Sequence, residues 1–209
     1  MWKFYDVTLK FEGKLCGSVP LSKELIRPWL EGRKPNTKPD NARPLEEIEE
    51  EVLATIQETE ERTTLGFQQD KGDLFVRAGT IKAHLKDCAN QIKDIVGIKA
   101  LRSKVANKVF VDLDPVFILR QDGATVEEPD GEFERAVHVM TAQGPRNALK
   151  RIKYVERPVL KFTLCLLKDK EITGEVLRSI FEYGSIHGYG GERGMGEGRY
   201  IFEVEEDAF

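Results

Sequence analysis

Apolar and polar residues alternate near the start of the chain, with Tyr5, Val7, Leu9 and Phe11 separated by Asp6, Thr8 and Lys10. A period of two predicts a half-buried strand. Trp2 and Phe4 extend it, through a bulge. The pattern then breaks: Gly13, Gly17, Pro20, Pro28, Gly32, Pro35, Pro39 and Pro44 punctuate residues 12–44. Only Ser22–Leu30 reads as a short helix there, with Ser22 as its cap, and 31–43 is an irregular, mostly basic loop. Pro44 then opens a helix from Leu45 to about Thr63. Glu46, Glu47, Glu49, Glu50 and Glu51 suit the positive end of its dipole, and Leu45, Ile48, Val52 and Ile56 form its apolar stripe.

Leu74–Arg77 is a short strand or an extended lead-in. A second helix follows over 80–96, with Thr80 as N-cap and Ile81, Leu85, Cys88, Ile92 and Ile95 on one face. Lys82, Lys86 and Lys93 fall about 100° round from that face. Val105–Leu119 predicts one or two strands broken at Asp114-Pro115, Gln121–Gly131 an acidic loop, and Phe133–Thr141 a returning strand. The segment Gly144–Lys153 is basic. Leu160, Phe162, Leu164 and Leu166 alternate as a central strand over 159–167. Thr173 caps a helix over 173–183, where Ile172 and Leu177 form a staple, Val176, Leu177, Ile180 and Phe181 the core face, and Gly184 the stop. Tyr200, Phe202 and Val204 mark the last strand, 199–205.

Stripped of its excursions, this order is β-α-β-β-α-β. That predicts an α+β, ferredoxin-like (RRM-like) fold with both helices on one face of an antiparallel sheet. The reading is one domain over 1–209, with insertions at about 12–73 and 115–158, the second a β-rich projection.

Between the last helix and the last strand lies Gly188-Tyr-Gly-Gly-Glu-Arg-Gly-Met-Gly-Glu-Gly-Arg-Tyr200, which holds six of the chain's 18 glycines. Dinucleotide and P-loop motifs run from a strand into a helix N-terminus that holds phosphate. Here the loop leaves a helix C-terminus, which repels anions, and no Gly-Lys-Ser/Thr follows. Both motifs are excluded. A flexible connection is the plain reading of such a loop, and Arg193, Arg199, Tyr189 and Tyr200 inside it point instead to binding.

Composition changes the picture in three places. The formal net charge of −4 over 209 residues argues on average against nucleic acid. The average hides two basic segments. Arg77 to Lys108 has eight Lys/Arg against two Asp, and Arg135 to Lys161 has seven against one Glu, each a local +6. Cys16, Cys88 and Cys165 are odd in number and far apart, so buried, reduced thiols of a cytoplasmic protein are expected, with no zinc site, disulfide framework or cofactor. No apolar run reaches membrane-spanning length.

The glycine loop resembles that of the repeat-associated mysterious protein (RAMP) superfamily of CRISPR effector proteins, which ends in Gly-x-Gly-Arg-aromatic before the last strand. Val76-Arg-Ala-Gly-Thr-Ile-Lys-Ala-His-Leu-Lys86 is similar to that family's Gly-Ser-Ser-hydrophobic-Lys-Gly helix start, with threonine and alanine in place of the second serine and the glycine. The 115–158 excursion matches the thumb of the family's backbone subunits. The resemblance implies binding of single-stranded guide RNA, as a backbone-type subunit beside copies of itself or other effector-complex subunits. It places Lys82, His84 and Lys86 toward phosphates, with Arg77 at the same helix start. Arg146, Lys150 and Arg151 become thumb contacts. Tyr189, Gly190, Gly191, Arg193, Gly194, Gly196, Gly198 and Arg199 shape the loop against RNA or a neighbour. The acidic helix 45–63 has no counterpart in the family.

Apart from the family, the two basic segments predict a basic face on an acidic protein, with salt-dependent phosphate contacts. Tyr154, Tyr189 and Tyr200 are candidates for base stacking. Two other functions stay open. One is an endoribonuclease using His84 or His187 as acid or base, or a metal-dependent cut at Asp40. The other is a protein that mimics a subunit to join or block its complex.

Overall fold

The computed structural model describes residues 1–21, 23–31, 44–54, 64–141 and 144–207, with the side chains of 23–25, 28, 137–141 and 144–148 outside that description. In chain order its strands are β1 (Trp2–Phe11), β2 (Lys14–Cys16), β3 (Val19–Pro20), β4 (Thr64–Gly66), β5 (Gln68–Asp70), β6 (Asp73–Val76), β7 (Val109–Val111), β8 (Val116–Leu119), β9 (Gly131–Thr141), β10 (Gly144–Glu156), β11 (Val159–Leu167) and β12 (Tyr200–Glu206). The helices are α1 (Lys23–Glu31), α2 (Leu45–Ala54), α3 (Ala78–Ile92), α4 (Leu101–Lys108) and α5 (Gly174–His187), with a 3₁₀ turn at Arg193–Met195.

The main sheet runs β12-β1-β11-β8-β6-β5, and β7 also pairs with β11. Its centre, β12-β1-β11 followed by β7 and β8, is antiparallel throughout. With α3 and α5 as crossovers, this is the predicted ferredoxin-like order within an α+β fold. The helices cover one face. Tyr5, Val7, Leu9 and Phe11 of β1 and Leu160, Phe162, Leu164 and Leu166 of β11 join Ile81, Leu85 and Cys88 of α3 and Leu177, Ile180 and Phe181 of α5 in one core. Thr173 caps α5 through Val176 N at 3.4 Å, and Ile172 and Leu177 are both buried.

Several predicted details differ. β1 has no bulge: it pairs with β11 without interruption from Trp2↔Leu167 to Lys10↔Val159, so Trp2 and Phe4 face away from the core. α3 starts at Ala78 rather than Thr80, with Arg77 in the cap position and no side-chain cap bond of its own. The Thr80 hydroxyl donates to Arg77 O, and Asp114 Oδ1 accepts from Ala78 N across the chain. Part of the expected strand region is α4, whose Leu101 and Val105 are buried one turn apart. Its sequence, Leu-Arg-Ser-Lys-Val-Ala-Asn-Lys, holds one β-branched residue, Val105, so local preference itself favours helix, and Leu101 and Val105 bury that helix against α3. α5 runs through Gly184 to His187, because Gly184 is held for close packing and not for a turn: a Cβ there would strike the Tyr200 hydroxyl and His84 Nε2.

The excursion expected at 115–158 is smaller than drawn. β8 belongs to the main sheet. The projecting part is the hairpin β9–β10, paired from Gly131↔Tyr154 to Thr141↔Gly144. β10 also pairs with β2 and β4, making a second sheet of five strands with β3 and β9. Residues 12–73, read as irregular apart from helices, thus supply β2 to β5. The acidic helix is described over 45–54, and the rest of its expected span, the basic loop 32–43 with Asp40, and Ser22 lie outside the described residues.

Candidate nucleic-acid interface

The glycine loop is docked, not free. Gly191 N donates to Cys16 O at 2.9 Å, Gly198 N to Lys14 O at 3.0 Å, and Tyr189 N to Gly198 O at 2.9 Å. These bonds carry the loop across β2. Gly198 has φ +76°, and a Cβ there would strike the Tyr189 carbonyl. Gly194 and Gly196 have open space around them. Glu192, itself left-handed at φ 58°, fastens the loop to the hairpin, with Oε1 2.5 Å from Lys150 Nζ and Oε2 3.1 Å from Arg135 Nη1.

A groove of about 750 Å³ opens between this loop and the N-terminal turns of α3. Gly79, Thr80, Ala83, His84 and Asp87 line one wall, Tyr189, Gly190 and Arg193 another, and Trp29, Ile48 and Val52 from α1 and α2 a third. Its base is apolar, with Leu15, Phe67 and Phe75. The Thr80 and Tyr189 hydroxyls share a hydrogen bond of 2.6 Å across it. Two expected cations, Arg77 and Arg193, are here, and both are neutralised. Arg77 pairs with Glu51 at 2.6 Å and Asp114 at 3.3 Å, and Arg193 with Asp87 at 3.6 Å.

His84 does not face phosphates. It is 3% exposed, and one hydrogen bond of 2.9 Å joins its Nε2 to the Tyr200 hydroxyl. Burial, with Arg193 and His187 adding to it, pushes its pKa down to about 3, so the ring is neutral at physiological pH. Burial raises the Tyr200 phenol in turn. Tyr189 and Tyr200 are both buried core aromatics, so neither presents a ring to a base. Lys14 Nζ sits 4.4 Å from the Tyr154 ring centroid.

Lys82 and Lys86 do not line the groove. By the helical step, Lys82, Lys86 and Lys93 lie about 100° to one side of the α3 core face, and Thr80, His84 and Asp87 about 110° to the other. The α5 side is the groove side, as the packing of Gly184 against His84 and Cys88 shows. Lys82 instead reaches the sheet edge, 3.9 Å from the Phe110 ring centroid, and its pKa is lowered by burial and by Lys86. The expected basic surface is therefore divided into a neutralised groove and a lysine strip on the opposite flank. Among the expected hairpin contacts, Lys150 is held by Glu192, Arg151 pairs with Glu134, and the Arg146 side chain lies outside the described residues. Arg199 is exposed, and its carbonyl accepts from Glu12 N.

The residues missed by sequence are the acids that neutralise the arginines: Glu51, Asp87, Asp114 and Glu192. Of these, Glu192 stands within the glycine loop that the sequence singled out. Burial raises the Cys16 and Cys88 thiols to about 12, which keeps them protonated. Among the described residues no three His, Cys, Asp or Glu side chains group as metal ligands, and no helix is long and apolar enough to cross a membrane.

No family model matches the chain, and no curated protein matches it. A chain in the cryo-EM structure of the Type III-B Cmr-beta bound to cognate target RNA is similar in structure, with a TM-score of 0.46 and 12% identity over 99% of this chain. The similarity covers 62% of that chain, so the present sequence spans less than two thirds of its length.

Proposed function

We propose that the protein binds single-stranded RNA through its phosphates, as a backbone-type guide-RNA subunit of a CRISPR ribonucleoprotein complex. One observation carries the RNA-binding reading. Lys86 and Lys93 of the α3 flank, and Lys99 and Arg102 beyond it, make no ion pair among the described residues, while Arg77 and Arg193 in the groove are neutralised. Lys82 joins the strip over Phe110. On a chain of net charge −4, a strip left without carboxylate partners is the surface that attracts a polyanion. The glycine loop and hairpin, joined by Glu192, are the parts that the family resemblance assigns to the neighbouring subunit or to RNA.

Filter binding with the double substitution Lys82→Glu/Lys86→Glu tests this. A loss of tenfold or more in affinity for a single-stranded RNA is expected, and unchanged affinity refutes the assignment of the strip.

A second reading, RNA cleavage, draws on a contact that the sequence did not show. The His84 and His187 rings stack at 6.4 Å and 14°. His84 is sealed by burial, which leaves His187 as the solvent-reachable base, half-buried beside Tyr183. Burial first, then Arg193, lowers its pKa, so it is held in the base form. Labelled RNA incubated with the protein in EDTA and in Mg²⁺ separates the two readings. Cleavage that disappears in His187→Ala favours the nuclease, and intact RNA favours the binder.

A further inference from the structure

The face of the main sheet that the helices leave bare carries three large aromatic side chains. Trp2 and Phe4 of β1 and Phe110 of β7 are 39%, 36% and 39% exposed. The register puts Phe4, Cys165 and Phe110 side by side in one row across three strands, because Phe4 pairs with Cys165 and Cys165 with Phe110. Trp2 lies in the next row, opposite Leu167, and its ring meets Phe110 edge-on at 5.8 Å. The unbroken pairing of β1 creates this surface, since a bulge would have turned Trp2 and Phe4 inward.

Two features give the platform a polarity. At its open edge stands Lys82, over the Phe110 ring, followed along α3 by Lys86 and Lys93. On its other side, one row further along the strands, Glu205, Asp6 and Asp112 stand in a line interrupted by Thr163. That row is about 7 Å from the aromatic row. A phosphate chain is repelled by the acidic row and drawn to the lysine edge. The flat rings between them are free for a neutral, planar group.

We infer that Trp2, Phe4 and Phe110 form a stacking platform for unpaired bases of a single-stranded RNA whose phosphates run along the Lys82–Lys86–Lys93 strip. The inference rests on the RNA-binding reading above and adds a base subsite to it. The acidic row sets the direction: the strand follows the sheet edge and does not cross the sheet. Any base has a stacking face, so the platform has little sequence preference.

The test uses two fluorescein-labelled probes of equal length, a 12-nucleotide oligouridylate and its abasic counterpart. Binding is read by anisotropy for the wild type, Phe4→Ala and Phe110→Ala. In a Trp29→Phe background Trp2 is the one tryptophan left, and its emission is a second readout. Each alanine variant is expected to bind oligouridylate about tenfold more weakly and the abasic probe as the wild type does. Trp2 emission is expected to quench with oligouridylate only. Wild-type oligouridylate affinity in both variants, with unchanged Trp2 emission at saturation, overturns the platform and leaves the lysine strip standing. Weaker self-association by light scattering in Phe110→Ala, with RNA binding unaltered, also overturns it and identifies the face as a protein contact. If neither probe binds the wild type, the RNA-binding reading itself fails, and the platform with it.

Discussion

Gly184 lets α5 approach α3 closely enough for the Tyr200 hydroxyl and His84 to meet in the core between them. His84 is thereby sealed in neutral form, with a pKa of about 3 against the ordinary 6.5. A group depressed in this way contributes stability that is fully present above its unfolded pKa and is lost as pH falls toward the folded one. Its loss is expected between pH 6.5 and 3, on the order of 5 kcal/mol in full. Urea midpoints measured across that window are expected to fall more steeply for the wild type than for His84→Gln. Parallel curves would show that His84 does not couple folding to pH.

At the scale of elements, the least expected connection is between the glycine loop and the hairpin. The loop's backbone is tied to β2, and Glu192, with only 8% of its side chain exposed, ties it to β9 and β10 through Arg135 and Lys150. Removing the charge leaves two cations facing each other at a partly buried site. Glu192→Gln is expected to cost about 2 kcal/mol. Amide exchange is expected to quicken along β9–β10 and the loop together, and exchange that quickens in the loop alone would show that the two move independently. The strands and helices most legible in the sequence are those whose apolar period matched one buried face: β1, β11, α5 and β12. The short strands β2 to β5 left no such period. Each spans two or three residues. β2, β3 and β4 are held by partners distant in the chain, as Gly66 is by Val19, and β5 by the adjoining β6 across a tight turn.

For the whole molecule, the charge that matters is the part left unneutralised. Five cations bear on it: Lys82, Lys86 and Lys93 on one flank of α3, and Lys99 and Arg102 just before α4 and at its start. For single-stranded RNA, the logarithm of affinity is then expected to fall against the logarithm of salt with a slope of about −3.5, and of about −2 after Lys82→Glu/Lys86→Glu. A slope near zero in the wild type would mean that phosphates are not what it holds.

The sequence by itself determined the α+β class, the β-α-β-β-α-β order and the buried faces of β1, β11, α3, α5 and β12, because these follow from local periods of two and 3.6, while β10, the longest strand, read only as a basic segment. It also determined that the lysines of α3 stand about 100° from its core face. It did not determine which flank adjoins the glycine loop. The packing of α5 against His84 and Cys88 decided that, and it placed the lysines on the other side. Nor could local pattern show that β1 runs unbroken from Trp2, or which acids meet Arg77 and Arg193. Register and ion pairing join residues far apart in the chain, and such pairings exist only once the sheet and helices have packed.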